Sequence, residues 1–209
     1  MNQKRVRVIA GTAILTALIV VFQIIGNYVQ FGPVSINLSL LPIALGAILY
    51  GPLVGFMLGV INGALILLAP STGIFLSYSI FWTVLVCLLK TGLGGLVSGL
   101  IFKLFKGKGI IPGIFISSLI IPIINSGIFI LACVTVMKDI FIEAFSNSGM
   151  ENMFVFMISV VITWNFLFEF LTTLLLAPTL IYVVKLLTKN YDIGDNLKDI
   201  LIKRETVKS

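Results

Sequence analysis

The chain has 209 residues, of which 59% are hydrophobic and only 11% are charged. A soluble domain carries about 25% charged residues, so this composition excludes an ordinary soluble protein and indicates a helical membrane protein with several spans. The net charge of +6 does not indicate nucleic acid, because the basic residues lie in short segments beside apolar runs, where they set membrane orientation.

Six apolar stretches predict six transmembrane helices. The first follows a basic segment at 4–7 and is longer than the apolar core of a signal peptide, so we expect a retained helix. An uncharged loop at 27–38 follows it, and a polar loop is expected at 138–152. The predicted helices cover about residues 6–26, 36–50, 51–69, 75–105, 110–137 and 153–188.

The third stretch carries glycines at four-residue intervals, Gly51, Gly55, Gly59 and Gly63. This spacing places them on one face of a helix. Small residues let helix backbones touch in lipid, so we expect other helices to pack against this one. The second stretch is short, at about 22 Å of helix against a hydrocarbon core of about 30 Å.

Positive charge predicts the orientation. Twelve of the fourteen lysines and arginines fall on one side of a six-span arrangement, and only Lys138 falls on the other. The positive-inside rule then places both termini in the cytoplasm. The predicted fold is therefore all-α: a polytopic membrane protein with six helices in one compact bundle at 1–190 and a charged cytoplasmic tail at 191–209.

Two ionisable residues lie inside predicted spans, Lys90 and Glu169. A charge at mid-bilayer costs at least about 2.5–3.5 kcal/mol, so each should face a partner or a cavity. Two interpretations stay open, a Lys90–Glu169 salt bridge between helices and a small-molecule pocket under the outer loops. Other polar and aromatic groups at a similar depth favour a polar ligand with a ring; they are Tyr78, Trp82, Asn125 and Asn165.

Two further features complete the pattern. The first helix contains AILTA, whose small residues Ala13 and Ala17 leave a flat face for another membrane helix. Cys87 and Cys133 both lie in apolar runs and are expected to be core thiols.

The charged N-terminus, AILTA, and the segment INLSLLPIALGAILYGPLVGFMLG resemble the S component of an energy-coupling factor (ECF) transporter. The resemblance covers most of residues 5–188 and includes PIINSGIF at 122–129 and NFLFEF at 165–170. It implies a subunit that captures a vitamin or similar micronutrient at the outer side of the cell membrane. Delivery would require a T subunit and two ATP-binding subunits.

The resemblance also implies roles for particular residues. Ala13 and Ala17 would form the docking surface for the T subunit, and the first loop, Tyr28 to Leu38, would gate the pocket. The substrate-binding residues expected from the pattern and the resemblance together are Asn37, Tyr78, Trp82, Lys90, Asn125, Trp164, Asn165 and Glu169. No cofactor is expected.

The ligand stays open at this point. A metal ion is not expected because the chain has no histidine, and the stretch INLSLLP lacks the acidic residue that the riboflavin type usually has. Pantothenate, folate, a pyridoxine-like compound and a modified purine remain.

An enzyme is not expected. The sequence has no HExxH motif, no P-loop, no histidine to serve a serine nucleophile, and no aspartate within the predicted spans. The alternative function is a self-sufficient secondary transporter or channel, although no clear three-plus-three repeat supports it.

Overall fold

The computed structural model describes residues 3–28, 30–31, 34–35, 37–105, 109–147, 149, 151–156 and 166–190. This part of the chain is helical apart from a short antiparallel hairpin in the first loop, β1 (Gln30–Phe31) and β2 (Val34–Ser35). The helices are α1 (Gln3–Tyr28), α2 (Leu40–Tyr50), α3 (Pro52–Ile66), α4 (Gly73–Tyr78), α5 (Ile80–Leu104), α6 (Ile110–Val134), α7 (Lys138–Asn147), α8 (Met153–Phe156) and α9 (Phe168–Asn190).

Four helices of the described residues are long and apolar enough to cross a membrane. They lie within α1, α5, α6 and α9. A fifth candidate joins α3 to the segment Pro70–Tyr78 through a bend of 78°. The predicted all-helical membrane fold is thus confirmed, with four to five membrane-capable helices in the described part of the chain.

Helix α2 is the centre of the bundle. It has only 11 residues, and it contacts α1, α3, α5, α6 and α9. Ile43 and Ile48 are fully buried in the main apolar core. Gly51 ends the helix with a φ of 102°, a left-handed conformation that costs glycine little, and Pro52 then begins α3. The short second stretch is therefore an internal helix surrounded by longer ones.

The glycines of α3 form the face that contacts α5. Their four-residue spacing predicts that they share one face and that another helix packs there. A Cβ added at Gly59 would lie 2.2 Å from the carbonyl oxygen of Thr91, and one at Gly63 would lie 2.4 Å from that of Cys87. The two backbones are thus in direct contact, and any side chain at these positions would push them apart. Gly51 is the exception, because it lies at the α2–α3 junction and not on this face.

The fourth predicted helix, 75–105, is interrupted. Ser79 has an extended backbone, with φ −154° and ψ 108°, so α4 ends and α5 begins there. The hydroxyl of Thr83 donates to the carbonyl oxygens of Phe75 and Ser79, each at 2.8 Å. The backbone N–H groups of Ser79 and Thr83 keep their hydrogen bonds to Phe75 and Ser79, so the hydroxyl of Thr83 adds a further bond across the junction.

The expected polar loop at 138–152 contains a helix, α7. Ile140 and Phe145 pack against core clusters, whereas Asp139 and Glu143 are exposed, so the segment is amphipathic. The charged residues of this segment led to the prediction of a loop, but their spacing is that of a helix. The last predicted helix, 153–188, corresponds to α8 and α9, and residues 157–165 between them lie outside the described part.

Candidate functional site

A buried carboxylate organises the polar core. Glu169 lies in the first turn of α9 and is only 4% exposed. The amide nitrogen of Asn125, on α6, donates to both carboxylate oxygens, at 3.0 and 2.8 Å. Ser126 donates to Oε2 at 3.3 Å, and Asn37, just before α2, donates to Oε1 at 3.3 Å. Three parts of the chain that are distant in sequence therefore meet at one side chain.

The carboxylate of Glu169 is saturated by these neutral groups. Each of its oxygens accepts two hydrogen bonds, and a carboxylate has about four such positions. Hydrogen bonds to a charged group are stronger than neutral ones, so the four together offset much of the cost of burial. Glu169 consequently holds Asn37 and Asn125 in place.

Asn125 has a buried acceptor without a partner among the described residues. Its side chain is fully buried, and its carbonyl oxygen Oδ1 has no hydrogen-bond partner among the described residues. The amide cannot rotate by half a turn without placing this oxygen against the carboxylate of Glu169. A buried polar atom without a partner is costly, so Asn125 Oδ1 is a fixed acceptor suited to an N–H or O–H group.

Lys90 is near this cluster but is not ion-paired with it. Within the described part of the chain, its ammonium lies 5.1 Å from the centre of the Phe129 ring, and no direct contact joins it to Glu169. The two charges are close enough to interact electrostatically. Of the two interpretations left open, the direct salt bridge is therefore not seen among the described residues, where the ammonium makes a cation–π contact on α6, one turn beyond Asn125.

The described contacts of Tyr78 and Trp82 are with residues other than Glu169. The hydroxyl of Tyr78 donates to Asp139 of α7 at 2.8 Å, which ties α4 to α7 at the surface. Trp82 is 38% exposed and packs edge-on against Phe81, with ring centres 5.2 Å apart. The structure thus groups Asn37, Asn125 and Glu169 and leaves these two aromatic residues at the periphery.

The remaining predicted residues divide into two groups. Trp164 and Asn165 lie outside the described residues. Ala13 and Ala17 are exposed on one side of α1, where a neighbouring helix could approach.

Three site residues were missed by the sequence analysis: Gln23, Ser39 and Ser126. Ser126 follows Asn125 directly, and the single hydroxyl proton of Ser39 faces two acceptors, Asn37 Oδ1 and, at 3.3 Å, Gln23 Oε1. The signal for Gln23 was present, because it is a polar residue inside an otherwise apolar helix.

No metal centre is visible in the described ranges, which contain no group of three or more acidic or cysteine side chains placed to hold an ion. The chemistry of the cluster is instead that of amides, hydroxyls and one carboxylate. These groups suit recognition of an organic ligand by hydrogen bonds.

Comparison with known proteins identifies the family. A family model described as "ECF transporter, substrate-specific component" matches residues 7–181. No curated protein and no solved structure matches the chain. Because the family model covers most of the sequence, the chain belongs to the family of ECF transporter substrate-specific components.

Proposed function

We propose that this protein is the capture subunit of an ECF-type importer, which binds a water-soluble vitamin or related micronutrient at the outer side of the cell membrane. The observation that carries the proposal is the convergence of Asn37, Asn125 and Glu169 inside a bundle of this family. Substrate-specific components are transporter subunits, so the protein acts by binding rather than by catalysis.

The proposed topology has six spans and cytoplasmic termini. Its support is the distribution of basic residues along the sequence. Under this topology α2 is a short internal span, and α9 belongs to the sixth. The first loop and α7 then face outward, and the Glu169 cluster lies beneath them.

The ligand is proposed to contact Asn125 and Lys90, with Glu169 and Asn37 beside them. Asn125 Oδ1 accepts from an N–H or O–H group of the ligand, since it has no other described partner. Lys90 offers ammonium donors to an oxygen of the ligand. Trp82, Tyr78, Trp164 and Asn165 belong to the proposed wall of the site. Pantothenate, folate, a pyridoxine-like compound and a modified purine each offer such donors and acceptors.

The proposed partners are a T subunit and two ATP-binding subunits. Helix α1 supports this, because only 11% of its apolar span is buried. Ala13 and Ala17 lie on the exposed side and would let a helix of the T subunit approach closely.

Native mass spectrometry of the purified protein tests the binding function. We expect one small metabolite per chain in the wild-type protein. We expect a reduced fraction of metabolite-bound chains in Asn125→Leu, because the loss of a buried hydrogen bond weakens binding by about tenfold or more. A wild-type protein that carries only lipid, or an Asn125→Leu variant that retains the metabolite fully, would contradict the proposed site.

A further inference from the structure

We propose that Asn62 of α3 is a specificity-determining residue of the substrate site, and that it recognises a planar ligand edge with an N–H group beside an acceptor oxygen. The inference rests on the proposed function, because it assigns a further residue to the same ligand. It brings α3 into a site that is otherwise assigned to other helices and the first loop.

Asn62 lies at the depth of Lys90 in the bundle. Gly63, the next residue of α3, packs against the backbone of α5, where its added Cβ would lie 2.4 Å from the carbonyl oxygen of Cys87. Lys90 follows Cys87 by three residues, or about 4.5 Å along the helix. The side chains of Asn62 and Lys90 therefore leave their helices within about one turn of the same depth.

The same depth on α6 is that of Asn125. Helix α6 runs antiparallel to α5, and a Cβ added at Gly94 would lie 3.3 Å from the side chain of Ile121. Four residues from this contact lead to Lys90 on α5 and to Asn125 on α6. Asn62, Lys90 and Asn125 thus occupy one level of the bundle, on three different helices.

This level is where the central helix begins. Helix α2 contacts α1, α3, α5, α6 and α9 and starts at Leu40. Leu58 of α3 packs on α2, with its Cδ1 2.2 Å from a Cβ added at Gly46. Asn62 follows Leu58 by one turn on the same face, so its amide is directed to the interior at the first turn of α2. That turn contains Pro42, which has no N–H group to donate.

The amide of Asn62 is a buried donor and acceptor pair. The side chain is fully buried, and neither Nδ2 nor Oδ1 has a hydrogen-bond partner in the described part of the chain. Native proteins retain few such groups, because each unpaired polar atom is costly. An asparagine amide holds its donor and its acceptor side by side in one plane, so it pairs with a planar edge that carries an acceptor beside a donor.

A cyclic amide supplies such an edge. The N–H and C=O groups of an open-chain trans amide point in opposite directions and cannot both meet one asparagine. Guanine and the pterin ring of folate contain a cyclic amide, whereas pantothenate has only an open-chain amide and pyridoxine has none. Asn125 Oδ1, at the same depth, is a further acceptor for an amino group of such a ring.

Binding of matched ligand pairs to the purified full-length protein tests the role of Asn62. Guanine is compared with 2-aminopurine, which lacks the 6-oxo group and the N1 proton. Folate is compared with aminopterin, in which an amino group replaces the 4-oxo group. The wild-type protein should bind guanine or folate at least about tenfold more tightly than the paired analogue, because the analogue leaves the Asn62 amide unpaired.

Asn62→Leu should bind the same oxo compound about ten- to hundredfold more weakly and should lose the preference over the analogue, because both hydrogen-bonding groups are absent. A merely structural role would weaken both members of a pair equally, and an unchanged ratio overturns the inference. Ser117→Ala is the control. It removes another fully buried polar group without a described partner, about 12 Å along α6 from Asn125, and should keep the wild-type ratio. A ratio that falls equally in both variants also overturns the inference.

Asn62→Ala provides a second variant if Asn62→Leu fails to fold, and it should lose the same preference. Melting curves of the ligand-free proteins establish that each variant is folded. A wild-type protein that binds neither guanine nor folate overturns the inference, even where it binds pantothenate or pyridoxine and so retains the capture function. Failure of the capture function itself is distinct, because native mass spectrometry would then find no metabolite on the wild-type chain.

Discussion

Glu169 shows how a charge can be buried in a membrane bundle without an opposite charge in contact. Its four hydrogen bonds come from two amides and a hydroxyl. Removing the carboxylate would leave the amide of Asn125 without its acceptor inside the protein, which costs more than the lost bonds alone. The side chain is therefore a structural anchor for the residues proposed to touch the ligand.

The first prediction concerns the coupling between Lys90 and Glu169. Glu169→Met should lower the free energy of unfolding by about 1–3 kcal/mol, because it leaves buried amide donors without an acceptor. Lys90→Met should have a small effect, since the described partner of the ammonium is a ring. Melting curves of both single variants and the double variant measure the coupling energy.

We expect Lys90→Met not to rescue Glu169→Met. Rescue to wild-type stability would indicate a direct ion pair, because removing both partners of a buried pair leaves no charge unpaired. Glu169→Gln is the control, as it removes the charge and keeps an acceptor oxygen for Asn125.

The second prediction concerns Asn62, a fully buried residue of α3. Neither polar atom of its amide has a partner among the described residues. Replacement by an apolar side chain of similar shape removes that cost, so Asn62→Leu should raise the melting temperature. Asn125→Leu is the matched control and should lower it, because Asn125 holds Glu169. A lower melting temperature in Asn62→Leu would reveal a partner for this amide.

At the residue scale the sequence assigned Asn37, Asn125 and Glu169 to one site and missed Ser126 beside them. Glu169 and Asn125 could be predicted because polar groups are costly in lipid. The hydrogen bond from Asn37 to Glu169 could not, because it depends on how the start of α2 packs against α9. The saturation of the carboxylate is likewise a property of the packed bundle.

Helices α3 and α5 pack backbone against backbone. A Cβ at Gly95 would lie 2.1 Å from the carbonyl oxygen of Gly55, and one at Gly55 would lie 2.6 Å from that of Gly95. These positions face each other, so the small residues are required on both helices. The four-residue spacing was sufficient to predict the contact face on α3. The identity of the helix that packs against it, α5, is known only from the structure.

The third prediction compares two glycine substitutions. Gly59→Ala should lower the melting temperature, because the added methyl group meets the backbone of Thr91 at 2.2 Å. Gly127→Ala is the control, since a Cβ there has no neighbour within 4 Å. It should be neutral or stabilising, as alanine favours the helix by about 1 kcal/mol. Equal effects of the two substitutions would contradict the close contact.

The fourth prediction concerns the exposed side of α1. Ala13→Trp should abolish uptake, because the bulky ring keeps a partner helix away from the exposed side of α1. Ligand binding by the isolated protein should stay intact, because Ala13 takes no part in the hydrogen bonds around Glu169. Leu175→Trp, at an exposed position of α9, is the control and should preserve both activities. Parallel loss of binding and uptake in Ala13→Trp would contradict the docking role.

The sequence predicted which segments are helical better than it predicted where each helix begins and ends. The apolar run at 75–105 gave no sign of the break at Ser79, which the hydroxyl of Thr83 bridges by its hydrogen bonds to Phe75 and Ser79. Helix α7 was obscured by its charges, although the alternation of Ile140 and Phe145 with Asp139 and Glu143 is helical. Polarity alone does not distinguish a loop from a surface helix.

The whole molecule has a compact core around α2 and an α1 that is largely uncovered. The buried polar cluster is connected to α1 through Gln23, and the opposite side of α1 is exposed. This arrangement fits a subunit that holds a ligand by itself and depends on another membrane protein for transport.

Reconstitution into liposomes tests most directly whether transport depends on the partner subunits. Radiolabelled pantothenate, folate, pyridoxine and guanine are each offered to the chain alone and to the chain with a T subunit, two ATP-binding subunits and ATP. The account predicts that the chain alone binds one of these compounds without accumulating it, and that accumulation requires all the partners and ATP. Accumulation by the chain alone under a proton or sodium gradient would contradict it.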